Sequence, residues 1–405
     1  MESVAKASCG LNFSSLRSNT PSLQWYSQHT MFSFSNSVLA RQISALLTLF
    51  LLAQFCQGQK DNGRKCDCFK TNESTETYFN FHRFFDYRDI SDRYVTPSPP
   101  VITDALNTSN ADATSDFFDD SSWTDDWDIQ TWDNSDSLES SETDASVLMI
   151  YSRNNVYIEA SSDGSSDYNT YLTLRTTRTT DFQSSGEIDS TEIDYQYLSV
   201  RFLARIIGDE GACAGFFTWR CPELCRSPSS PDVEEADVEM LTRDSIDTFH
   251  FTNQPSESIN GQFVPESTRN QTFPDGMDRT QWNEYRYDWL PGLSTWYING
   301  INVAEIAFQA PRNPAALIIN MWGNGGSWTG NMSVGDAAYL QLQWIQVVYN
   351  TSESLNNADG CQTVCNVDTN VTAPGVPVAE GMGFANRPIL RWALAFTLVV
   401  VWQNI

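Results

Sequence analysis

The sequence contains few histidines and few basic residues. Only three histidines, His29, His82 and His250, occur among its 405 residues. Zinc sites and Ser-His-Asp triads both depend on histidine, so a His-rich zinc centre and a serine-type triad are disfavoured. Twenty-four lysines and arginines stand against 51 aspartates and glutamates, which gives a formal net charge of −27. Such a surface repels phosphate backbones, and this excludes a nucleic-acid partner.

Helical periodicity is also missing, whereas strand patterns are frequent. The chain carries 23 Phe, 15 Tyr and 13 Trp, residue types that favour strands. Tyr197–Arg205 alternates apolar with polar residues, as a half-buried strand does, and Asn299-Gly300 between two apolar runs predicts a type I′ hairpin turn. Strands without intervening helices predict an all-β fold of antiparallel sheets, packed as a sandwich or jelly roll. Further strands are expected at 171–177, 214–219, 235–241, 284–290, 316–322 and 339–349.

Long apolar segments are confined to the two ends of the chain. Ile43–Phe55 is a short apolar run followed by the small residues Cys56 and Gly58, which is typical of a signal peptide cleaved after Gly58. A core strand or a signal anchor is the alternative for this run. Ile389–Ile405 is typical of a GPI attachment signal, although Arg391 within it leaves a retained single-pass anchor open. We therefore divide the chain into a signal-peptide region with an N-terminal extension (1–58), one domain (59–360), a stalk (361–383) and a hydrophobic tail (384–405).

Nine cysteines in a chain with a predicted signal indicate an oxidising compartment. Cys66 and Cys68 are predicted to bond to Cys361 and Cys365, because the ends of a sandwich lie close together and cysteines separated by one residue rarely pair. Zinc is the alternative, but no C-x₂-C pair and no accompanying histidine are present. An odd number of cysteines follows the cleavage site, so one thiol remains free. The other predicted bond joins Cys213 to Cys221 or Cys225.

Six Asn-x-Ser/Thr sequons follow the predicted signal and indicate an extracellular glycoprotein. They are Asn72, Asn107, Asn270, Asn331, Asn350 and Asn370. Residues 112–144 contain twelve acidic residues and no basic one. This stretch lacks the D-x-[DN]-x-[DN]-G spacing of a calcium loop, so we interpret it as an acidic surface connection and predict no metal site.

The candidate chemistry lies in the segment Glu235-Ala-Asp237-Val-Glu239. Side chains alternate between the faces of a strand, so the three acids share one face while Ala236 and Val238 point into the core. Three neighbouring carboxylates raise one another's pKa. Glu235 and Glu239 are ~13 Å apart at Cα by strand rise, and their side chains can lean together toward the ~5–5.5 Å separation of a retaining glycosidase. A solvated acidic strand face is the alternative interpretation.

The order of these motifs resembles glycoside hydrolase family 16, the concanavalin A-like β-jelly-roll glucanases and transglycosylases. The E-x-D-x-E segment is similar to that family's catalytic strand without a β-bulge. Upstream, Tyr197–Arg205 and Ala214–Trp219 resemble the strands that precede it. Downstream, Glu284–Trp289 with Thr295–Gly300, and then 318–328, resemble the later segments. The resemblance covers about 80–350, but Trp282-Asn283-Glu284 replaces a histidine frequent in the family, which leaves the substrate class open.

The resemblance implies a role for each acid. Glu235 would be the nucleophile, Glu239 the general acid/base and Asp237 the residue that tunes them, with no cofactor and a concave cleft for a polysaccharide. Aromatic side chains would form platforms for sugar rings, with core packing as the alternative role of each. The substrate-binding candidates are Trp219, Tyr287, Asn320, Trp322 and Trp328.

Three functions fit this reading of the sequence. The first is an extracellular retaining glycosidase that cleaves β-1,3 or mixed β-1,3/1,4 glucan. The second is a glucan or glucan–chitin transglycosylase, similar to the anchored family members of fungal cell walls. The third is a non-enzymatic, lectin-like sandwich, which the intact set of three acids disfavours. In each case we expect a monomer at the cell surface or in the wall, attached to the membrane through its C-terminal anchor.

Overall fold

The computed structural model describes residues 66–72, 77–138, 143–162, 168–220, 233–258, 260–355, 361–369 and 374–379. The predicted signal and hydrophobic tail, together with Cys221, Cys225 and Asn370, lie outside these ranges. Within them, no helix is both long enough and apolar enough to cross a membrane. The helical segments are short: α-helices at Ala105–Ser109, Ser121–Thr124 and Ser135–Leu138, and 3₁₀ turns at Asp92–Tyr94, Asp116–Asp119, Arg153–Asn155, Pro265–Ser267 and Pro274–Gly276.

Strands dominate the described residues, as the alternating sequence pattern predicts. In chain order they are β1 Cys68–Lys70, β2 Phe81–Asp86, β3 Trp127–Ile129, β4 Leu148–Tyr151, β5 Val156–Ala160, β6 Thr170–Arg178, β7 Phe182–Ser190, β8 Tyr195–Gly208, β9 Cys213–Arg220, β10 Glu234–Leu241, β11 Thr248–Gln254, β12 Thr268–Thr272, β13 Asn283–Leu290, β14 Leu293–Ile298, β15 Ile301–Ile306, β16 Ala316–Trp322, β17 Ala337–Thr351, β18 Val364–Asn366 and β19 Val378–Ala379. Every strand expected from the sequence is present, within a few residues at its ends.

The chain folds into a jelly-roll sandwich. The front sheet has the strand order β12-β11-β10-β9-β16-β7, with β3 added beside β7. The back sheet has the order β6-β17-β8-β13-β14-β15, with β2 on β17 and β5 on β6. The strand β7 joins the two sheets, because its first residues pair with β6 and its later ones with β16. The hairpin between β14 and β15 turns at Asn299 and Gly300, both at positive φ (48° and 78°), which confirms the predicted turn.

Alternation along each strand separates the core from the outer faces. Ala236, Val238 and Met240 of β10 belong to the main apolar cluster between the sheets. Ala214 and Phe216 of β9 belong to the same cluster. The odd-numbered residues of both strands therefore lie on the outer face of the front sheet.

A small sheet formed by the two ends of the domain covers the outer face of the back sheet. Its strand order is β1-β18-β19, and Phe69, Cys365 and Val367 pack with Phe79 and Val348 in a separate apolar cluster. Two disulfides hold it together, Cys66–Cys365 and Cys68–Cys361, with Cα separations of 5.5 and 5.7 Å. Both confirm the predicted tie between the two ends. The predicted boundary between domain and stalk at residues 360 and 361 stays a prediction.

The predicted sequons differ in their exposure. Asn72, Asn107, Asn270 and Asn331 are exposed. Asn350 is only 3% exposed. Its Nδ2 atom, to which a glycan would be attached, donates a 3.0 Å hydrogen bond to the backbone oxygen of Tyr78. The folded domain therefore contradicts a glycan on Asn350, and the exposed sequons stay predictions.

Candidate active site

Strand β10 carries the candidate acids on the outer face of the front sheet. Glu235, Asp237 and Glu239 alternate with core residues along this strand, so all three share the outer face. Glu235 and Asp237 are buried, whereas Glu239 is half-buried. This orientation confirms the face predicted from the sequence. The roles of the three acids stay predictions.

The neighbouring strands place specific side chains beside the two glutamates. Trp219 on β9 lies directly opposite Glu235, with Gln254 opposite on the other side. Directly opposite residues of an antiparallel pair share a face, so Trp219 lies on the outer face next to Glu235. Gly215 and His250 lie opposite Glu239 in the same way. The two glutamates therefore have different neighbours, an indole and an amide beside Glu235 and a glycine and an imidazole beside Glu239.

Gly215 leaves space beside Glu239 on the outer face of the front sheet. A Cβ atom built on Gly215 would lie 2.7 Å from Oδ1 of Asn320 on β16, closer than a Cβ atom can come. Asn320 can therefore approach β9 because residue 215 has no side chain. This close approach keeps an amide next to the strand that carries the acids.

The carboxyl of Asp237 lies in surroundings that favour its protonated form. Burial raises its pKa well above the ordinary value, and the charges of Glu235 and Glu239 add to the increase. A hydrogen bond with Glu235 raises the pKa further, while one from Gln254 lowers it. The raised pKa of Asp237 therefore reflects its burial beside two other carboxyl groups on the same strand face. The role of Asp237 in tuning the two glutamates stays a prediction.

Glu239 receives two hydrogen-bond donors from outside its own strand. Trp328 Nε1 donates to its Oε1 atom at 3.1 Å, and Cys213 Sγ donates to the same atom at 3.5 Å. Burial raises the pKa of Glu239, and these two donors and the charge of His250 act in the opposite direction. A half-buried carboxyl with a raised pKa is the form that a general acid requires.

His250 is fixed in place behind Glu239. Its Nε2 atom lies 2.7 Å from Oδ2 of Asp244, and its Nδ1 atom lies 2.9 Å from Oδ1 of Asn270. The ring also meets the indole of Trp328 edge-on, with 5.0 Å between centroids. The histidine therefore supports the tryptophan that holds Glu239. The sequence analysis assigned His250 no role.

A second buried acid, Glu187 on β7, lies on the same face two strands away from β9. Trp132 Nε1 donates to its Oε1 atom at 2.8 Å and Asn320 Nδ2 to its Oε2 atom at 3.0 Å. Burial raises the pKa of Glu187 to about 7, although hydrogen bonds from Asn320, Trp132 and Tyr151 lower it. The sequence analysis missed this group. In the sequence, the only sign of this group is an acidic residue in the strand segment that follows Asp181.

Several substrate-binding candidates do not fit the predicted role. Tyr287 lies in the core between the sheets, stacked on Trp296, because its position on β13 points inward. Trp322 is 1% exposed. It packs among the apolar side chains around Cys213, so its ring offers no free face to a sugar. Trp219 is on the expected face but is also buried.

The remaining candidates are better placed. Asn320 reaches the outer face, where its amide contacts Glu187. Trp328 is half-buried and contacts Glu239. Trp132 is half-buried as well, and its ring lies 4.5 Å from that of Tyr151. It is a platform candidate that the sequence analysis had placed in the acidic surface connection.

The predicted disulfide of Cys213 is wrong. Cys213 is a buried free thiol at the first residue of β9. Arg220, the last residue of this strand, is seven residues away, which corresponds to ~23 Å of extended chain. The two predicted partners, Cys221 and Cys225, lie outside the described residues.

The outer face can therefore support chemistry with two carboxyl groups. Burial raises the pKa of Glu239, which lies within reach of the face, and Glu235 lies beside Asp237, whose pKa burial raises well above its ordinary value. Within the described ranges, no group of three or more His, Cys, Asp or Glu residues could hold a metal ion.

A family model described as glycosyl hydrolases family 16 matches residues 147–346, which includes the three acids of β10. The β-glucanase of Paenibacillus polymyxa is 25% identical over 169 residues, 41% of this chain and 64% of that protein. The β-glucanase of Paenibacillus macerans is 23% identical over 170 residues, 41% of this chain and 65% of that protein. The chain thus spans less than two thirds of the length of these relatives.

Solved structures with a similar fold include further glucanases. The Bacillus licheniformis β-glucanase is 20% identical, with a TM-score of 0.41, and the match covers 56% of this chain and 92% of that one. A prokaryotic β-1,3-1,4-glucanase (lichenase) from a mouse hindgut metagenome is 15% identical, with a TM-score of 0.42, and the match covers 66% and 99%. The family model and the curated relatives support the assignment of residues 147–346 to glycoside hydrolase family 16.

Proposed function

We propose that this protein is an extracellular retaining glycosidase that cleaves β-1,3 or mixed β-1,3/1,4 glucan. The observation that carries the proposal is the placement of Glu235, Asp237 and Glu239 on one outer strand face, with the pKa values of Asp237 and Glu239 both raised. The match to family 16 and the β-glucanase relatives support the same substrate class.

The first half of the reaction uses the two glutamates in different forms. Glu239 gives its proton to the glycosidic oxygen as the bond between that oxygen and the anomeric carbon breaks. The carboxylate of Glu235 forms a new bond to the anomeric carbon from the opposite side, which yields a glycosyl-enzyme ester. The proton of Asp237 lies next to Glu235 and is withdrawn from it as the ester forms.

The second half reverses these roles. Glu239, now ionised, takes a proton from a water molecule, whose oxygen attacks the anomeric carbon. The ester bond to Glu235 breaks and its carboxylate is restored. Two displacements leave the anomeric configuration of the product the same as that of the substrate. If a sugar hydroxyl replaces the water, the same steps lead to transglycosylation.

The substrate is a polymer, and the outer face has groups that suit one. Trp132 and Trp328 present half-buried rings on the same side of the sheet as the acids. Aromatic rings pack against the apolar faces of pyranose rings. The amide of Asn320 lies between the two tryptophans in strand order and can contact sugar hydroxyls. We propose these three residues as the main sugar contacts.

A location outside the cell is supported by the disulfides. Cys66–Cys365 and Cys68–Cys361 each join residues almost 300 positions apart, and such bonds persist in oxidising compartments. The four exposed sequons are consistent with the same route. The predicted signal and GPI-type tail complete this part of the proposal.

The proposal can be tested with two substrates and one labelled acceptor. The secreted protein is incubated with laminarin and with barley mixed-linkage glucan, each with and without a fluorescent glucan oligosaccharide, and the products are sized. We expect shorter products from at least one glucan, without growth of the labelled acceptor. Growth of the acceptor would instead establish a transglycosylase.

The control is a Glu235→Gln/Glu239→Gln double variant that keeps the fold. It should release no product under any of these conditions. Binding without turnover by the wild-type protein on both glucans would contradict the proposal and favour the lectin-like function.

A further inference from the structure

Glu239 has two oxygens, and both of its donors from outside β10 contact the same one. Trp328 Nε1 lies 3.1 Å from Oε1 and Cys213 Sγ lies 3.5 Å from it. The two donors come from separate parts of the fold, the loop after β16 and the first residue of β9. Their convergence therefore depends on the tertiary structure.

Both groups can donate at this position. An indole N–H has no lone pair to offer as an acceptor. The Cys213 side chain is fully buried among Met149, Leu241 and Trp322. Burial and the nearby charge of Glu239 raise the pKa of the Cys213 thiol well above its ordinary value, so it keeps its proton. The S–H group has two acceptors in reach, Oε1 of Glu239 at 3.5 Å and the backbone oxygen of Ala214 at 3.6 Å, and the carboxyl oxygen is the stronger acceptor of the two.

The other charged and titratable neighbours of Glu239 are engaged elsewhere. On its own strand, Asp237 is hydrogen-bonded to Glu235. On β11, His250 faces Glu239, but both of its ring nitrogens have partners, Asp244 and Asn270. These groups influence Glu239 through charge, whereas Trp328 and Cys213 contact it directly.

We propose that Cys213 and Trp328 are positioning residues that hold Oε1 of Glu239 as an acceptor and so direct its transferable proton to Oε2. Two donors at Oε1 leave no room for a proton there, so the acid hydrogen occupies the oxygen that they do not contact. This inference rests on the proposed function, because it assumes that Glu239 is the acid. In the first displacement the Oε2 proton goes to the leaving oxygen, and in the second Oε2 recovers a proton from water.

The test replaces each donor by a group of similar shape that cannot donate. Cys213→Val keeps an apolar, strand-favouring side chain of similar size, and Trp328→Phe keeps an aromatic ring without N–H. Cys213→Ser restores a donor at the same position. For each variant, kcat and kcat/KM are measured against pH on the glucan that the wild type cleaves. The same rates are measured on two aryl glycosides of its oligosaccharide, one with a 2,4-dinitrophenyl and one with a 4-methylumbelliferyl leaving group.

Loss of a donor to the ionised form should raise the pKa of Glu239. We expect the alkaline limb of the pH profile to move up by about half a unit in Cys213→Val and about one unit in Trp328→Phe, with kcat on glucan reduced about three- to tenfold. Cys213→Ser should return both values toward wild type. In Cys213→Val the rate on the dinitrophenyl glycoside should not change, because that leaving group needs no proton; Trp328→Phe also alters a proposed sugar contact, so it is judged by its pH profile alone. The methylumbelliferyl glycoside should show an intermediate loss.

Two results would overturn the inference. One is an alkaline limb that stays in place in both Cys213→Val and Trp328→Phe. The other is an equal loss of rate on all substrates in Cys213→Val, which would indicate a structural role only. Failure of the proposed function itself is separate, because it would appear as full activity in Glu239→Gln or as an inactive wild-type protein. Thermal unfolding of each variant shows whether it is folded.

Discussion

The side chains of Glu187 and Asn320 are joined across neighbouring strands of the front sheet. Nδ2 of Asn320 donates a 3.0 Å hydrogen bond to Oε2 of Glu187, although 133 residues separate the two in sequence. Both side chains are buried on the outer face of the sheet. Burial of a carboxyl whose hydrogen-bond partners are neutral favours its protonated form. Burial raises the pKa of Glu187 to about 7.

The stability of the domain should therefore decrease with rising pH through Glu187. Its pKa is raised from 4.5 to about 7 in the folded protein, mainly by burial. The folded state binds this proton more tightly than the unfolded state, so stability is full below pH 4.5 and is lost as the pH rises toward 7. We expect Glu187→Gln to unfold at a higher temperature than the wild type at pH 8 and at a similar temperature at pH 4. A difference in melting temperature between the two proteins that stays constant from pH 4 to pH 8 would contradict the prediction.

Changing each of the three acids of β10 to its amide should reduce catalytic activity to a different degree. Glu235→Gln should lose all turnover, because the ester intermediate cannot form. Glu239→Gln should lose about 10²–10⁴-fold on glucan but keep activity on dinitrophenyl glycosides, which need no acid. Asp237→Asn should fall between them. Rates and product anomers measured by NMR check this order, and an inverted product would falsify the assignment of Glu235.

The two disulfides should contribute similarly when they are removed one at a time. They close loops of similar length, with sequence separations of 299 and 293 residues. Once one bond is in place, the other closes only a small additional loop, so losing either alone should cost about 2 kcal/mol in the chain-entropy model. Losing both opens the whole domain and should cost more than twice as much. Urea unfolding of Cys68→Ser/Cys361→Ser, Cys66→Ser/Cys365→Ser and the fourfold variant measures these differences. If the losses of unfolding free energy in the two double variants add up to the loss in the fourfold variant, each disulfide stabilises the domain independently of the other.

Asp368 should stabilise the contact between the terminal sheet and the back sheet. Arg201 and Arg286 lie directly opposite each other on β8 and β13, an arrangement of like charges that is unfavourable by itself. Asp368 forms ion pairs with both, and Asp288 pairs with Arg286. Asp368→Asn should cost about 3 kcal/mol, because it leaves two buried arginines facing each other.

The control for Asp368 is an exposed ion pair. Asp119 pairs with Arg153 at the surface, so Asp119→Asn should change the unfolding free energy by less than about 1 kcal/mol. Asp368→Asn should not alter kcat, because Asp368 contacts arginines of the back sheet, Arg201 and Arg286. A loss for Asp368→Asn no larger than for Asp119→Asn would show that the buried network is not needed for stability.

Local patterns in the sequence predicted the strands and the face of the acids. The alternation of Glu235, Asp237 and Glu239 with Ala236 and Val238 has a period of two, and this period alone decides which side chains share a face. The hairpin at Asn299-Gly300 followed from the backbone preference of two residues. These features depend on residues close in sequence, so they can be read without a structure.

Contacts across strands could not be read in this way. The register between strands decides that Glu239 meets Trp328, 89 residues away, and that Cys213 meets the same carboxyl oxygen. The sequence suggested a disulfide for Cys213 and an open face for Trp322. Both expectations failed, because side-chain neighbours and burial depend on which strands lie side by side.

The sequence by itself determined the all-β class, the position of the candidate acids and the covalent tie between the ends of the domain. Each of these follows from a short-range pattern or from the chemistry of a single residue type. Only the tertiary structure decided that Asp237 is buried beside Glu235, that Glu187 is buried, and that Trp328 and Cys213 contact one oxygen of Glu239. The physical reason is that pKa values and proton positions depend on burial and on the direction of nearby donors, and in this fold both arise from strands distant in sequence.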